Sequence, residues 1–107
     1  MKTANLDGRK IFTKEQLHEA LARSLKFPEY YGGNLDALFD MLTASSDPIS
    51  IEITHADELA DHLGDYFDKF TKVVVDASED NAGLEMICIM GPAYSHILQH
   101  FLSRRAR

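Results

Sequence analysis

A second cysteine is missing from this chain, and with it any internal disulfide. Cys88 stands alone among 107 residues, and no C-x-x-C or Cys/His spacing outlines a zinc site. Long hydrophobic runs are missing too. Nothing approaches the roughly 18 consecutive apolar residues of a membrane-spanning helix, and the opening MKTANLDGRK carries no apolar signal core. The expectation is a cytoplasmic protein with no membrane partner, no metal and no cofactor. Internal repeats and low-complexity segments are absent, so the length points to one domain. A hydrophobic fraction of 45% is enough for a modest core.

The sharpest shortage is of positive charge. Between Lys26 and Lys69 there is no lysine or arginine, and the interval holds Glu29, Asp36, Asp40, Asp47, Glu52, Asp57, Glu58, Asp61, Asp65 and Asp68. The net charge is −6, and the basic residues gather near the two ends. Such a one-signed middle would steer a cationic partner and discourage direct binding of nucleic acid. A merely solvated acidic surface is the plainer reading of the same pattern.

The elements follow from period and punctuation. Lys2–Leu6 suits a short strand, and Asp7-Gly8 a turn. Thr13 and Gln16 form a capping box ahead of a helix with a Leu17, Leu21, Leu25 stripe, ending before Pro28. ISIEI, residues 49–53, alternates as a strand. Thr54 and Asp57 read as a second capping box, with a helix to about Leu63 broken by Gly64. Helical spacing from Tyr66 runs to about Asp80, although Val73-Val74-Val75 also fits a strand. Gly83 fits a helix C-cap, and residues 84–90, LEMICIM, a buried strand. After Pro92, the stripe Tyr94, Ile97, Leu98, Phe101, Leu102 predicts a last helix. Strands separated by helices favour parallel pairing. The fold expected is α/β: a three-stranded parallel sheet packed with helices, plus that extra C-terminal helix, which would cover the sheet or form a homodimer contact.

One stretch holds chemistry that the fold does not require: residues 28–42, PEYYGGNLDALFDML. Pro28, Gly32 and Gly33 make a turn, and Asn34 is a natural N-cap. Leu35, Leu38, Phe39 and Leu42 share one helical face, at about 100° per residue. Asp36, Asp40 and Thr43 share the other, and like charges at i, i+4 repel. Such a pair could bind a metal, act as general acid and base, or meet a cationic protein. No further ligands converge at a suitable spacing for a metal, and no nucleophile or phosphate loop accompanies the pair. Tyr30 and Tyr31 in a glycine-flanked loop favour a binding surface. The histidines are weaker signals. His18 lies in the first helix, His55 and His62 flank the third, and His96 and His100 are i, i+4 on the last. Cys88, in an apolar strand, reads as a small buried hydrophobe.

PEYYGGNLDALFDML resembles the signature of the barstar family, small intracellular inhibitors of barnase-like secreted ribonucleases. The resemblance continues upstream through Leu17-His18 and downstream to about residue 90. It makes 1–90 the barstar-like domain and 91–107 a helical extension of it. It implies a non-enzymatic inhibitor whose segment 30–44 plugs a ribonuclease active site, one to one. Asp40 would stand in for a substrate phosphate, Asp36 would add a second anionic contact, and Tyr30 would meet the enzyme's catalytic histidine. Tyr31, Gly32, Asn34, Leu35, Phe39, Thr43 and Ala44 would line the contact. An acidic residue late in the fourth helix would add to it, with Ser78 near that position and Glu79 beside it. Phe39 replaces the family's tryptophan, Ser45 an aromatic, Met41 a cysteine, and Gly33 a usual acid. An immunity or interaction module of the same fold, aimed at another cationic toxin or enzyme, is the alternative.

Overall fold

The computed structural model describes residues 1–90 and 98–101. Strands β1 (Lys2–Asp7), β2 (Ile49–Thr54) and β3 (Leu84–Ile89) pair in parallel in that order. Helix α1 (Lys14–Leu25) and helix α2 (Leu35–Ala44) connect the first two strands, and α3 (Ala56–Leu63) and α4 (Asp65–Ser78) the second and third. All four helices bury side chains in one core against the same face of the sheet, as two successive crossovers of one hand require.

The register aligns Ala4, Ile51 and Met86 in one row and Leu6, Ile53 and Cys88 in the next. All six are buried. Against them lie Leu17, Leu21 and Leu25 of α1, Leu38 and Leu42 of α2, Leu59 of α3, and Phe70, Val74 and Ala77 of α4. The period-2 alternation of the strands meets the 3.6-residue stripes of the helices in one core. The opposite row of the sheet, Thr3, Ser50 and Glu85, is polar, and the Ser50 hydroxyl donates to Glu85 across it at 3.3 Å. Burial pushes the Cys88 thiol up to about 12, so it is core and not a thiolate.

The local start signals acted as expected in two places. Thr13 accepts from the Gln16 amide while the Gln16 side chain returns to the Thr13 amide. Asn34 accepts from the Ala37 amide at 2.8 Å. Val73-Val74-Val75 is helical.

Elsewhere tertiary structure overruled the pattern. Thr54 is the last paired residue of β2, and its hydroxyl donates to the Leu6 carbonyl of the next strand, so it does not cap α3. The cap position falls to His55, in the left-handed region at φ 52°, without a side-chain bond. Gly83 is not a helix C-cap either, since α4 ends at Ser78. It sits where the chain turns into β3, so close to Pro48 that a Cβ would lie 3.0 Å from the Pro48 Cα.

The largest correction concerns the C-terminus. Leu98–Phe101 is a strand, β4, antiparallel to β3 with Met86 opposite Phe101 and Ile89 opposite Leu98. The sheet order is β1-β2-β3-β4. Without β4, one side of β3 would present a row of unpaired amides and carbonyls, and satisfying that edge outweighs the helical spacing of the side chains. His100 is therefore in a strand, and its expected helical partner His96 lies outside the described residues. The rest of the expected helix and of the 91–107 extension, and with it the homodimer contact, lies outside the described residues.

Candidate partner-binding surface

The surface begins where α1 ends. Lys26 takes the left-handed conformation at φ 58° and closes the helix. Phe27 donates back to the Ala22 carbonyl at 2.9 Å, and Tyr31 to the Pro28 carbonyl at 3.0 Å. Gly33, at φ 68°, supplies the left-handed step that a side chain would resist, and Asn34 then opens α2. A compact loop thus hands the chain from one helix to the next with its backbone bonded.

Helix α2 has two unlike sides. Leu38 and Leu42 are fully buried, while Leu35 and Phe39 are half-buried against the same core. Asp36, Asp40 and Ala44 are exposed. Among the described residues, neither carboxylate of Asp36 and Asp40 has an ion-pair or hydrogen-bond partner. Their mutual repulsion costs about 0.2–0.5 kcal/mol. Burying one leucine contributes about 1.5–3 kcal/mol, so the inner face easily holds an outer face that is poor by itself. Asp36 also lies in the first turn, where the helix dipole favours an anion; Asp40 lies beyond it.

The far end of α2 is tied down by a residue that the sequence did not single out. Asn81 donates from its buried side chain to the Leu42 carbonyl at 2.9 Å, and its own oxygen accepts from the Gly83 amide at 3.0 Å. It therefore satisfies a helix-end carbonyl and fixes the loop after α4 in one move. Glu79, the exposed C-cap of α4 two residues earlier, stands at this same end of α2. Thr43 turns its hydroxyl back to the Phe39 carbonyl at 2.9 Å, so that group serves the helix itself.

The two tyrosines divide their labour. Tyr30 is 80% exposed, the most prominent aromatic on this surface. Tyr31 is half-buried, stacked at a tilt on Phe27 with ring centres 4.8 Å apart, and its hydroxyl lies 2.6 Å from Nδ1 of His18. His18 is buried, and its Nε2 lies 2.6 Å from the Tyr66 hydroxyl of α4. The sequence carried a faint signal for this: His18, Leu21 and Leu25 are at i, i+3 and i+7, so the histidine borders the buried stripe. Gly32 is exposed, and a Cβ there would crowd the Asn34 amide group at 3.3 Å.

The folded chain also returns positive charge to a region that lacks it in sequence. Lys14 of α1 and Lys69 of α4 line a hollow of about 390 Å³ with Asn34, Leu35, Asp36 and Tyr66. A second, larger groove of about 740 Å³ runs along the other side of the loop, between α1 and Glu29, Tyr31 and Gly32. The acidic helix is thus bounded by two lysines at its start. Among the described residues no group of three or more His, Cys, Asp or Glu side chains converges as a metal site, and no helix is long and apolar enough to cross a membrane. What the arrangement offers chemically is a pair of exposed anions one helical turn apart and an outward aromatic, held by a helix whose other face is buried in the core.

Comparison with known proteins finds relatives for most of the chain. A family model described as "Barstar (barnase inhibitor)" matches residues 1–90. A Bacillus subtilis (strain 168) protein named "Putative ribonuclease inhibitor YrdF" is 38% identical over 81 residues, covering 75% of this chain and 89% of that one. With its three parallel strands, its four helices on one face and a family match across most of its length, this chain belongs to the barstar family.

Proposed function

We propose that the protein inhibits a barnase-like secreted ribonuclease inside the cytoplasm, by seating the loop and α2 in the enzyme's active site, one to one. It is not itself an enzyme on this reading. A ribonuclease cleft holds a polyanion and is therefore cationic. Asp36 and Asp40 offer two carboxylates about one helical turn apart, with Asp40 in the place of a substrate phosphate and Tyr30 against the catalytic histidine. Tyr31, Gly32, Asn34, Leu35, Phe39, Thr43 and Ala44 form the surrounding contact, with Glu79 at its edge.

The single observation that supports this reading is that, among the described residues, Asp36 and Asp40 have no partner for their carboxylates on an otherwise well-made helix. Charges that repel each other in the free protein gain a partner on binding, so stability is given up for recognition. Attraction between opposite fields also raises the rate of encounter.

The test is Asp40→Ala, with inhibition of a barnase-like ribonuclease and thermal unfolding measured together. Binding should weaken by about 2 kcal/mol or more, roughly 30-fold in Kd, with stability unchanged or raised. Undiminished inhibition would remove the phosphate-mimicry mechanism. If the unaltered protein inhibits no such ribonuclease but captures another cationic enzyme through the same face, the immunity-module reading replaces this one.

A further inference from the structure

His18 ties α1 both to the loop that follows it and to the distant helix α4. It lies in α1, its Nδ1 meets Tyr31 of the loop, and its Nε2 meets Tyr66 of the first turn of α4, 48 positions away, both at 2.6 Å. Only 3% of the residue is exposed. The Tyr66 ring stands edge-on to the imidazole, and the Lys14 ammonium lies 5.7 Å from its centre. A neutral imidazole has one N–H donor and one acceptor nitrogen. It can hold both hydroxyls only by donating to one and accepting from the other, so the three side chains form one directed chain of hydrogen bonds.

We propose that His18 is a positioning residue for partner binding: through Tyr31 and Tyr66 it locks the Tyr30–Tyr31 loop in its docking shape while the imidazole is neutral, and protonation releases the loop. The statement about affinity rests on the ribonuclease-inhibitor reading above; the clamp itself does not.

A protonated ring must donate from both nitrogens. The tyrosine that had donated to it must then turn its proton away from the buried imidazole, toward the groove that Tyr31 lines or the hollow that Tyr66 lines. Burial is the main force holding His18 below its ordinary value of 6.5; Glu15 favours the charged form and Lys14 opposes it. Facing the same site, Glu19 and Arg23 on α1 pair with each other, Glu29 lines the groove from the loop, and Lys69 lies beside Tyr66 on α4. Burial also raises the phenols of Tyr31 and Tyr66, so both stay protonated. The direction of the pH effect follows. A released loop exposes His18 and lets it return toward 6.5, so the released form binds more protons. Docking is complete above that value and is lost progressively below it, by at most about tenfold per pH unit for one proton.

The experiment compares the full chain with His18→Gln and Tyr66→Phe. Affinity for one ribonuclease is measured from pH 7.5 to pH 5.5, and His18 is followed by NMR in the free protein. Both variants should bind about three- to tenfold more weakly at pH 7.5. The unaltered chain should lose at least threefold more affinity on acidification than His18→Gln; the enzyme's own titration is common to both. The amides of the loop, residues 30–34, should shift with the same midpoint as the His18 ring. Parallel pH profiles, or full affinity in Tyr66→Phe, would overturn the proposal. Loop amides that ignore the His18 titration would overturn the clamp whatever the chain binds. Loop amides that follow it in a protein that inhibits no ribonuclease would uphold the clamp and count against the ribonuclease reading alone.

Discussion

Helices α1 and α4 place opposite charges one turn apart; α2 places like charges there. On α1, Arg23 bonds Glu19 at 3.2 Å, and on α4, Lys72 bonds Asp76 at 3.0 Å, both at i, i+4. On α2 the same spacing joins Asp36 to Asp40. All three helices bury an apolar stripe in the same core, so the contrast lies wholly on their outer faces. Like charges also stand at i, i+4 at Glu15–Glu19 on α1 and Asp57–Asp61 on α3, but there Glu19 pairs with Arg23 and Asp57 has a partner. Of these three pairs, Asp36–Asp40 is the one in which neither carboxylate has a partner among the described residues, and it lies on the helix that follows the exposed Tyr30. A few tenths of a kcal/mol is a small loss in stability, while fixed, desolvatable anions are worth far more against a cationic surface.

Making α2 resemble its neighbours should give the largest effect. Asp40→Lys creates an acid-before-base pair with Asp36 in the favourable orientation. It removes a repulsion and adds an attraction, each about 0.2–0.5 kcal/mol, so stability should rise by about 0.5–1 kcal/mol. Inhibition of the ribonuclease should fall at least as far as in Asp40→Ala, measured by residual activity against inhibitor concentration. A variant that is no more stable than the unaltered chain would mean that repulsion between the aspartates is not a real cost.

The inner side of α2 should respond in the opposite sense. Asn81→Ala strips the buried Leu42 carbonyl of its partner, and an unsatisfied buried group costs about 1–3 kcal/mol. Urea unfolding should show that loss, with the midpoint moved and the slope unchanged. Inhibition should be retained under conditions where the variant remains folded. Should binding collapse while the fold survives, Asn81 would be shaping the outer surface as well as holding the helix.

These two substitutions also mark what could be read before the structure. The caps at Thr13 and Asn34, the leucine stripes and the apolar patterns of the strands depend on neighbours within a few residues, which the sequence displays directly, and parallel pairing follows from the helices that separate the strands. The acidic face of α2 was legible for the same reason. Asn81, His18 and the two lysines beside Asp36 were not, because their partners are tens of residues away; His18 and Tyr66 are 48 positions apart. Leu98–Phe101 misled for the complementary reason. Its side chains follow a helical period, but its backbone is claimed by an open strand edge that only the assembled sheet possesses. Thr54 misled likewise, since its hydroxyl had a strand carbonyl to reach before it had a helix to cap.

The smallest effect belongs to the ordinary charge pairs, and it tests the comparison from its quiet side. Lys72 and Asp76 are both largely solvent-facing, so their pair is screened by water and salt. Lys72→Ala should cost no more than about 0.5 kcal/mol in thermal or urea unfolding, and high salt should erase most of that difference. If α4 is only a structural helix on this face, association with the ribonuclease should keep its rate, because the Asp36–Asp40 field is untouched. If association instead quickens, the lysine was opposing a cationic partner, and the docking surface extends from α2 across α4. The contrast between a paired helix and an unpaired one would then have to be redrawn as one continuous acidic face, with Lys72 as the charge that restrains it.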